Sequence, residues 1–384
     1  MSSEPIPTSV YVHFPWCARK CPYCDFATEP VKTNTIAHGA YADALLRELD
    51  SRAADLQERM LVSVFFGGGT PSLWNPSALA RTLSAIRGAF DVESNDLEVT
   101  VECNPSSLSR AHAAALVNGG VNRVSIGVQS LRDVHLGFLG RLHDAAQAVR
   151  AVEDAFAEVP RVSADLMFGM PEQSKSEFAE DIRRLLEVGV RHVSAYALTI
   201  EHQTLFGSLQ KAGKLRVATD DRYADLFERA QAEFSDAGWD HYEVSNYAVR
   251  GEESRHNMHY WQGGAYVGLG SSAVGCLEEG VGAATRWRNE PIPQRYMSHP
   301  EAGGTLEALD ADHLIREALM LGLRTLPGVN MASTAQRAGR DVSAGREVEL
   351  ERALRRGDVA LEDDWLRVPQ DRWLKLDGIV RDLF

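Results

Sequence analysis

Through the first two-thirds of the chain, short runs that alternate apolar and polar residues take turns with longer stretches whose apolar residues recur every three or four positions. The spacing predicts strands over 10–14, 62–66, 97–102, 123–129, 162–168 and 193–198. One helical stripe passes through Tyr41, Leu45, Leu49, Ala53 and Leu56. Another, with Phe178, Ile182, Leu185 and Leu186, opens on a Ser174-x-x-Glu177 capping box and closes at Gly189. Six such strand–helix units predict an α/β fold with a parallel sheet covered by helices, either open or curled into a partial barrel.

The alternation inside the strands carries more information than their number. Parallel strands covered on both faces read as continuous apolar runs, and several of these do not. In the fourth, Val124, Ile126 and Val128 share one face while Arg123, Ser125, Gly127 and Gln129 share the other. Val99 and Val101 oppose Thr100 and Glu102; Ala164 and Leu166 oppose Ser163 and Asp165; Val10, Val12 and Phe14 oppose Tyr11 and His13. If the apolar face meets the helices, the polar face surrounds something polar, as in a lumen holding a cofactor. Polar residues also gather toward the C-terminal strand ends, where sites of α/β proteins form.

Near residue 250 the rhythm stops, which divides the chain into a barrel over 1–250, a connecting segment rich in Gly, Trp and Arg over 251–304, and a C-terminal unit over 305–384. That unit reads as mostly helical and winged-helix-like, with an amphipathic helix from about Asp310 and a hairpin around Asp363-Asp364. Composition adds exclusions. Forty basic against 54 acidic residues give a formal charge of −14, which speaks against a general nucleic-acid binder. No apolar run approaches the roughly 18 residues of a membrane span, and the first residues lack the basic and apolar regions of a signal peptide. A cytoplasmic protein with at most peripheral membrane contact is expected.

Three of the five cysteines crowd into Cys17-Ala-Arg-Lys-Cys21-Pro-Tyr-Cys24, directly after the first strand. Such crowding in a chain without a disulfide framework points to metal. Thiolates suit iron–sulfur clusters, and three of them leave one iron open to an external ligand. A zinc site completed by a histidine, or unligated thiols, are the alternatives. The Gly67-Gly68-Gly69-Thr70-Pro71 run ends the second strand, where glycines admit a ligand close to the backbone and free its N–H groups to bind it; tight turns use the same residues. Glu102, Gln129, Arg141 and Asp165 are either ligand contacts or ordinary polar groups of a wet lumen. Isolated Cys103 and Cys276 read as small buried residues.

The C-x₃-C-x₂-C loop is the signature of the radical-SAM superfamily, a (β/α)₆ partial barrel. From Tyr11-Val-His-Phe-Pro-Trp-Cys17 to Cys24-Asp-Phe26 the chain resembles the oxygen-independent coproporphyrinogen III oxidase-like family. The likeness continues through Gly67-Gly-Gly-Thr-Pro-Ser72, Glu102-x-Asn-Pro105, 123–130, Gly140-Arg-Leu-His143, 165–171 and Leu198-Thr-Ile-Glu201, and spans essentially the whole chain. It implies a [4Fe–4S] cluster on Cys17, Cys21 and Cys24 whose open iron takes S-adenosylmethionine, cleaved in relatives to a 5′-deoxyadenosyl radical. It also implies contacts to that cofactor from Tyr11, Tyr23, Gly68, Gly69, Thr70, Glu102, Gln129, Arg141 and Asp165.

Two features separate branches of the family. The oxidase branch carries a further cysteine where this chain has Phe26, and a longer leader than the sixteen residues before Cys17. His256-Asn-Met-His-Tyr-Trp261 matches an H-N-x-x-Y-W motif of the heme-chaperone branch. The resemblance therefore implies a heme chaperone that binds heme and passes it to acceptor hemoproteins of respiration. His256 is the first candidate ligand, His259 the second, with Tyr260 and Trp261 flanking the macrocycle. A contact sealing the barrel is the other reading of this motif, and a radical-SAM coproporphyrinogen III oxidase the other reading of the chain. Relatives carry a histidine where this chain has Val274.

Overall fold

The computed structural model describes residues 4–384. Each of the six expected strands forms: β1 (Ile6–Phe14), β2 (Arg59–Gly68), β3 (Val92–Cys103), β4 (Arg123–Gln129), β5 (Arg161–Phe168) and β6 (His192–Ala197). They pair in parallel in that order and curve into a partial barrel. Helices His38–Ser51, Pro76–Ala89, Arg110–Asn118, Ala145–Phe156 and Lys175–Val188 return the chain outside it. The last of these starts as its sequence dictates. Ser174 accepts from the Glu177 N–H while the Glu177 carboxylate accepts from the Ser174 N–H, and Gly189 ends the helix in the left-handed conformation.

The strand alternation partitions the molecule. Val10, Val12, Phe14, Val99, Val101, Val124, Ile126, Val128, Ala164 and Leu166 are all buried in one apolar cluster with Leu45, Leu79, Leu116, Val152 and Ile182 of the helices. At roughly 1.5–3 kcal/mol for each large aliphatic side chain buried, this outer layer supplies the cohesion. The opposite face, with Tyr11, His13, Glu102, Ser125, Gln129 and Asp165, is left to line a lumen.

The sheet continues past the six units on both sides. β7 (Asp240–Glu243) and β8 (Asn246–Ala248) form a hairpin whose second strand pairs antiparallel with β6. The stretch 251–304, expected to connect, instead carries the helix Arg255–Trp261 and three further strands. β9 (Ala265–Leu269) pairs in parallel with β1, and β10 (Val274–Gly280), β11 (Ala283–Arg288) and β12 (Thr305–Leu309) follow antiparallel. One twelve-stranded sheet thus runs β12-β11-β10-β9-β1-β2-β3-β4-β5-β6-β8-β7. Trp287 of this stretch packs against the barrel's first helix region: the Arg52 guanidinium lies 4.1 Å above its ring.

Glu48, on the first helix, locks β9 and the segment after it to the barrel. Its buried carboxylate accepts from the Gly270 N–H (2.9 Å), the Asn289 amide (2.7 Å) and the Tyr296 hydroxyl (2.7 Å), and meets Arg52 at 3.2 Å.

The C-terminal unit is helical with a small wing. Asp310 caps the helix Ala311–Gly322 by accepting from the His313 N–H. β13 (Val329–Asn330), β14 (Ala360–Glu362) and β15 (Trp365–Arg367) form a three-stranded sheet. Asp363 and Asp364 take positive φ of 46° and 67° in its hairpin turn. An Arg337–Glu278 ion pair of 2.6 Å joins this unit to β10. Among the described residues no helix is long and apolar enough to cross a membrane.

Replacing Glu48 by Ala leaves the buried Gly270 N–H and Tyr296 hydroxyl without this acceptor, while Asn289 keeps the Gly270 carbonyl, and each orphan costs about 1–3 kcal/mol. Glu48→Ala is therefore expected to lower unfolding stability by about 2 kcal/mol or more, and Glu48→Gln, which keeps an acceptor, by less. Urea unfolding followed by tryptophan fluorescence measures both; equal losses would contradict this account of the lock.

Candidate functional site

The cysteine loop is set by what holds its two ends. Past β1 the chain makes a two-residue parallel bridge, Trp16–Cys17 with Glu29–Pro30. Between them the loop is pinned by Lys20 Nζ on the Phe26 carbonyl (3.0 Å), by the His13 ring on the Ala27 carbonyl (3.0 Å), and by the Cys24 N–H on the Cys21 carbonyl (3.1 Å). Cys17, Cys21 and Cys24 are unpaired and line one cavity. Burial pushes the Cys17 and Cys24 thiols up, which opposes ionisation until a metal displaces the proton. The Arg141 guanidinium lies 3.8 Å from Cys21 Sγ.

Among the described residues no three His, Cys, Asp or Glu side chains converge on the place of a single ion, as a zinc site requires. Cys17, Cys21 and Cys24 share one cavity wall, and three thiolates are the donors that an iron–sulfur cluster takes, each on a different iron.

The cavity measures about 1090 Å³ and runs through the lumen. Tyr11, Cys17, Cys21, Tyr23, Cys24, Gly68, Gly69, Thr70, Glu102, Gln129, Arg141, Asp165 and His256 all line it. At its upper end β4 finishes irregularly: the pairing with β5 shifts between Ile126 and Gln129, and Gln129 takes φ +68°. That left-handed turn, uncommon for a residue with a side chain, folds the amide of Gln129 back over Gly127. A Cβ on Gly127 would lie 2.9 Å from Gln129 Nε2 and 3.2 Å from Arg141 Nη2. Arg141 also donates to the Gly127 carbonyl at 2.8 Å. Gly127 is therefore the residue that lets both polar side chains reach the lumen.

The glycine run behaves differently from expectation. Its N–H groups are engaged within the protein: Gly68 on Glu102 Oε2 (3.1 Å), Gly69 on the Phe14 carbonyl (2.7 Å) and Thr70 on the Trp16 carbonyl (2.9 Å). The strand end needs glycine for space, since a Cβ on Gly68 would meet the His13 ring at 2.5 Å. Glu102 is the electrostatic focus beneath it. Burial, and then the charge of Asp165, push its carboxyl up to about 8 against the pull of the Gly68 N–H. Asp165 is also raised by burial, and is restrained by hydroxyls of Ser125 and Ser194.

His256 lies at the other end. Its Nδ1 is 2.9 Å from Ser63 Oγ, its backbone N–H donates to Glu98 Oε1 (3.0 Å), and its ring sits 5.0 Å from that of Phe65. Ser63 precedes Gly68 by five residues on β2, and the Phe65 ring stands between His256 and Gly67. Burial drives the imidazole pKa down to about 3, leaving it neutral, and Ser63 occupies Nδ1. Nε2 is the nitrogen left for a ligand.

His259, the second candidate, does not line the cavity: its Nε2 meets the Ala265 carbonyl at 2.9 Å and braces β9. Tyr260 lines the cavity, while Trp261 packs toward Tyr242. Phe26 stands 56% exposed at the upper mouth, and Val274 lines the cavity beside Gly268. The sequence did not single out Arg123, His192, Ser194 and Tyr196, which also line the lumen. The polar alternation of β4 contained Arg123, and starting the sixth strand one residue earlier would have exposed the His192, Ser194, Tyr196 face.

Comparison with known proteins agrees with this geometry. The Radical SAM superfamily matches residues 11–185 and the HemN C-terminal domain residues 309–373. The chain is 38% identical over 296 residues to "Heme chaperone HemW" of Haemophilus influenzae, covering 76% of each. It is 35% identical to the protein of that name from Mycobacterium tuberculosis, covering 98% of this chain and 95% of the relative. Among solved structures, the radical SAM enzyme coproporphyrinogen III oxidase (HemN) of Escherichia coli superposes with a TM-score of 0.80 at 20% identity, over all of this chain and 91% of that one, a likeness of fold.

The raised Glu102 pKa has a measurable consequence. Between the ordinary value of 4.5 and about 8 the unfolded chain has lost this proton while the folded chain keeps it. The group therefore costs stability increasingly as pH rises through that window, and by a constant amount above it. Glu102→Gln removes the cost. The stability of the variant minus that of the wild type is expected to grow between about pH 5 and about pH 8 in urea titrations; a pH-independent difference would refute the shifted carboxyl.

Proposed function

This chain belongs to the heme chaperone HemW family within the radical SAM superfamily, and from that premise we propose that it carries heme and hands it to acceptor hemoproteins. Heme is its cargo. His256 ligates the iron through Nε2, Cys17, Cys21 and Cys24 hold a [4Fe–4S] cluster, and the upper lumen receives S-adenosylmethionine. One observation carries the reading: a buried neutral imidazole, fixed on Ser63 by one nitrogen, lines the same cavity as the three cysteines. A neutral imidazole is the form that binds iron.

When bound, the cluster offers an open iron to the amino and carboxylate groups of S-adenosylmethionine and can supply it with an electron. Around that place the chain contributes the Arg141 guanidinium for a carboxylate, and Glu102, Asp165 and Gln129 for ammonium and hydroxyl groups. Tyr11 and Tyr23 contribute aromatic walls, and Gly68, Gly69 and Thr70 the close backbone. The acceptors are respiratory hemoproteins and the compartment is the cytoplasm, where free thiols stay reduced. The completeness of this upper set favours one second reading, a radical-SAM coproporphyrinogen III oxidase.

Anaerobic reconstitution with iron and sulfide, followed by heme, S-adenosylmethionine and coproporphyrinogen III in turn, separates the two. Stoichiometric heme binding, lost in His256→Ala with the cluster absorbance retained, and no protoporphyrinogen, is the expected result. Decarboxylated product would assign the chain to the oxidase.

A further inference from the structure

Arg123 opens β4 at the floor of the lumen and is only 2% exposed, its remaining exposure facing the cavity. Its guanidinium makes no side-chain hydrogen bond and no ion pair with any described residue. A buried arginine without a partner is uncommon, because taking the charge out of water is costly unless something compensates. The two nearby carboxylates are committed elsewhere. Glu98 accepts from Arg161 Nη1 (2.6 Å) and from the N–H groups of Arg255 and His256. Asp165 accepts from Ser125 Oγ (3.0 Å). They attract Arg123 from beyond contact and leave its five N–H groups free.

A second polar group, two residues below the register of Arg123, is also unmet. Ser9 Oγ is fully buried, lines the cavity and has no hydrogen-bond partner. Ser9 pairs in register with Ser63, and Ser63 with Glu98, so Ser9, the Ser63 that holds His256, and the carboxylate between His256 and Arg123 share one layer. Arg123 opens β4 and Gln129 ends it past a register shift, so Arg123 lies at the end of the strand away from Arg141 and Cys21. An unpaired guanidinium in a low-dielectric pocket selects a carboxylate, which it can take with two parallel N–H bonds.

We propose that Arg123 binds a propionate of heme at the floor of the lumen, beside the His256 that takes the iron. This rests on the heme-carrier reading. Heme then enters with its carboxylate edge toward β4, and the protein reads cargo by charge as well as by iron ligation. A porphyrin lacking free carboxylates would keep the iron contact and lose the anchor.

The test compares hemin with hemin dimethyl ester, in the same detergent, on the full-length protein with its cluster reconstituted. The wild type is expected to bind hemin about tenfold or more tightly than the ester, the weight of a charge-assisted hydrogen bond. In Arg123→Gln the hemin affinity should fall to that of the ester while the His256-dependent Soret band persists, and Arg123→Lys should recover part of the preference. Equal affinities in the wild type, or an unchanged ratio in Arg123→Gln, would overturn the proposal and leave the carrier reading intact. Absence of any His256-dependent heme binding would sink the carrier reading and this proposal with it. Thermal melting of the heme-free proteins guards against a folding defect. Because Arg123 makes no hydrogen bond or contact ion pair and is only attracted from a distance by Glu98 and Asp165, Arg123→Gln should melt close to the wild type. A lower melting point with loss of both ligands would assign Arg123 to the fold and overturn the proposal.

Discussion

Burial of one strand face only is the constraint on which the rest of the molecule depends. Val10, Val12, Phe14, Val99, Val101, Val124, Ile126 and Val128 press outward against the helices, and that contact joins the backbone ladder in keeping the strands together. The inner face is thereby released from packing and can hold Arg, Glu, Asp, Gln and His in a space that water or a ligand fills. A β-barrel packed by layers of aliphatic side chains has no such freedom. The polar lumen, the irregular end of β4 and the deep histidine are all permitted by the same division of labour.

The lumen's electrostatics follow from burial acting on groups of both signs. Glu102 is held toward its neutral form, and His256 and His192 are held neutral from the other side. Arginines cannot respond by losing a proton, so Arg123 and Arg141 remain as fixed cations, one at each end of the cavity. The interior therefore offers positive charge and neutral bases, an arrangement suited to ligands that bring carboxylates and a Lewis-acidic iron.

Much of this was legible in the sequence because it depends on period and short-range spacing. The two faces of the strands, the Ser174–Glu177 cap, the Asp363-Asp364 turn and the cysteine loop are local statements, and the structure repeats them. What was not legible depends on pairing between distant segments. Nothing local in 265–288 announces that β9 lies parallel to β1, or that Glu48 waits for the Gly270 N–H. The N–H groups of Gly68, Gly69 and Thr70 look available in the sequence, and only Glu102, for the first, and the 14–16 backbone, for the other two, take them up. Likewise His256 and His259 are equivalent as text, three residues apart. The helix that carries them turns one to the lumen and the other to the Ala265 carbonyl.

The C-terminal unit lends Ala318, Met320, Leu321 and Arg337 to the lower cavity wall, and Arg337 is tethered to Glu278. The consequence is kinetic. Affinity at the floor is set by Arg123 on β4 and His256 on the helix Arg255–Trp261, whereas the dwell time of anything held there depends also on how often this outer wall loosens. A carrier has to retain cargo and yet surrender it on contact. Placing those two demands on separate parts of the chain lets the release rate change without weakening the grip.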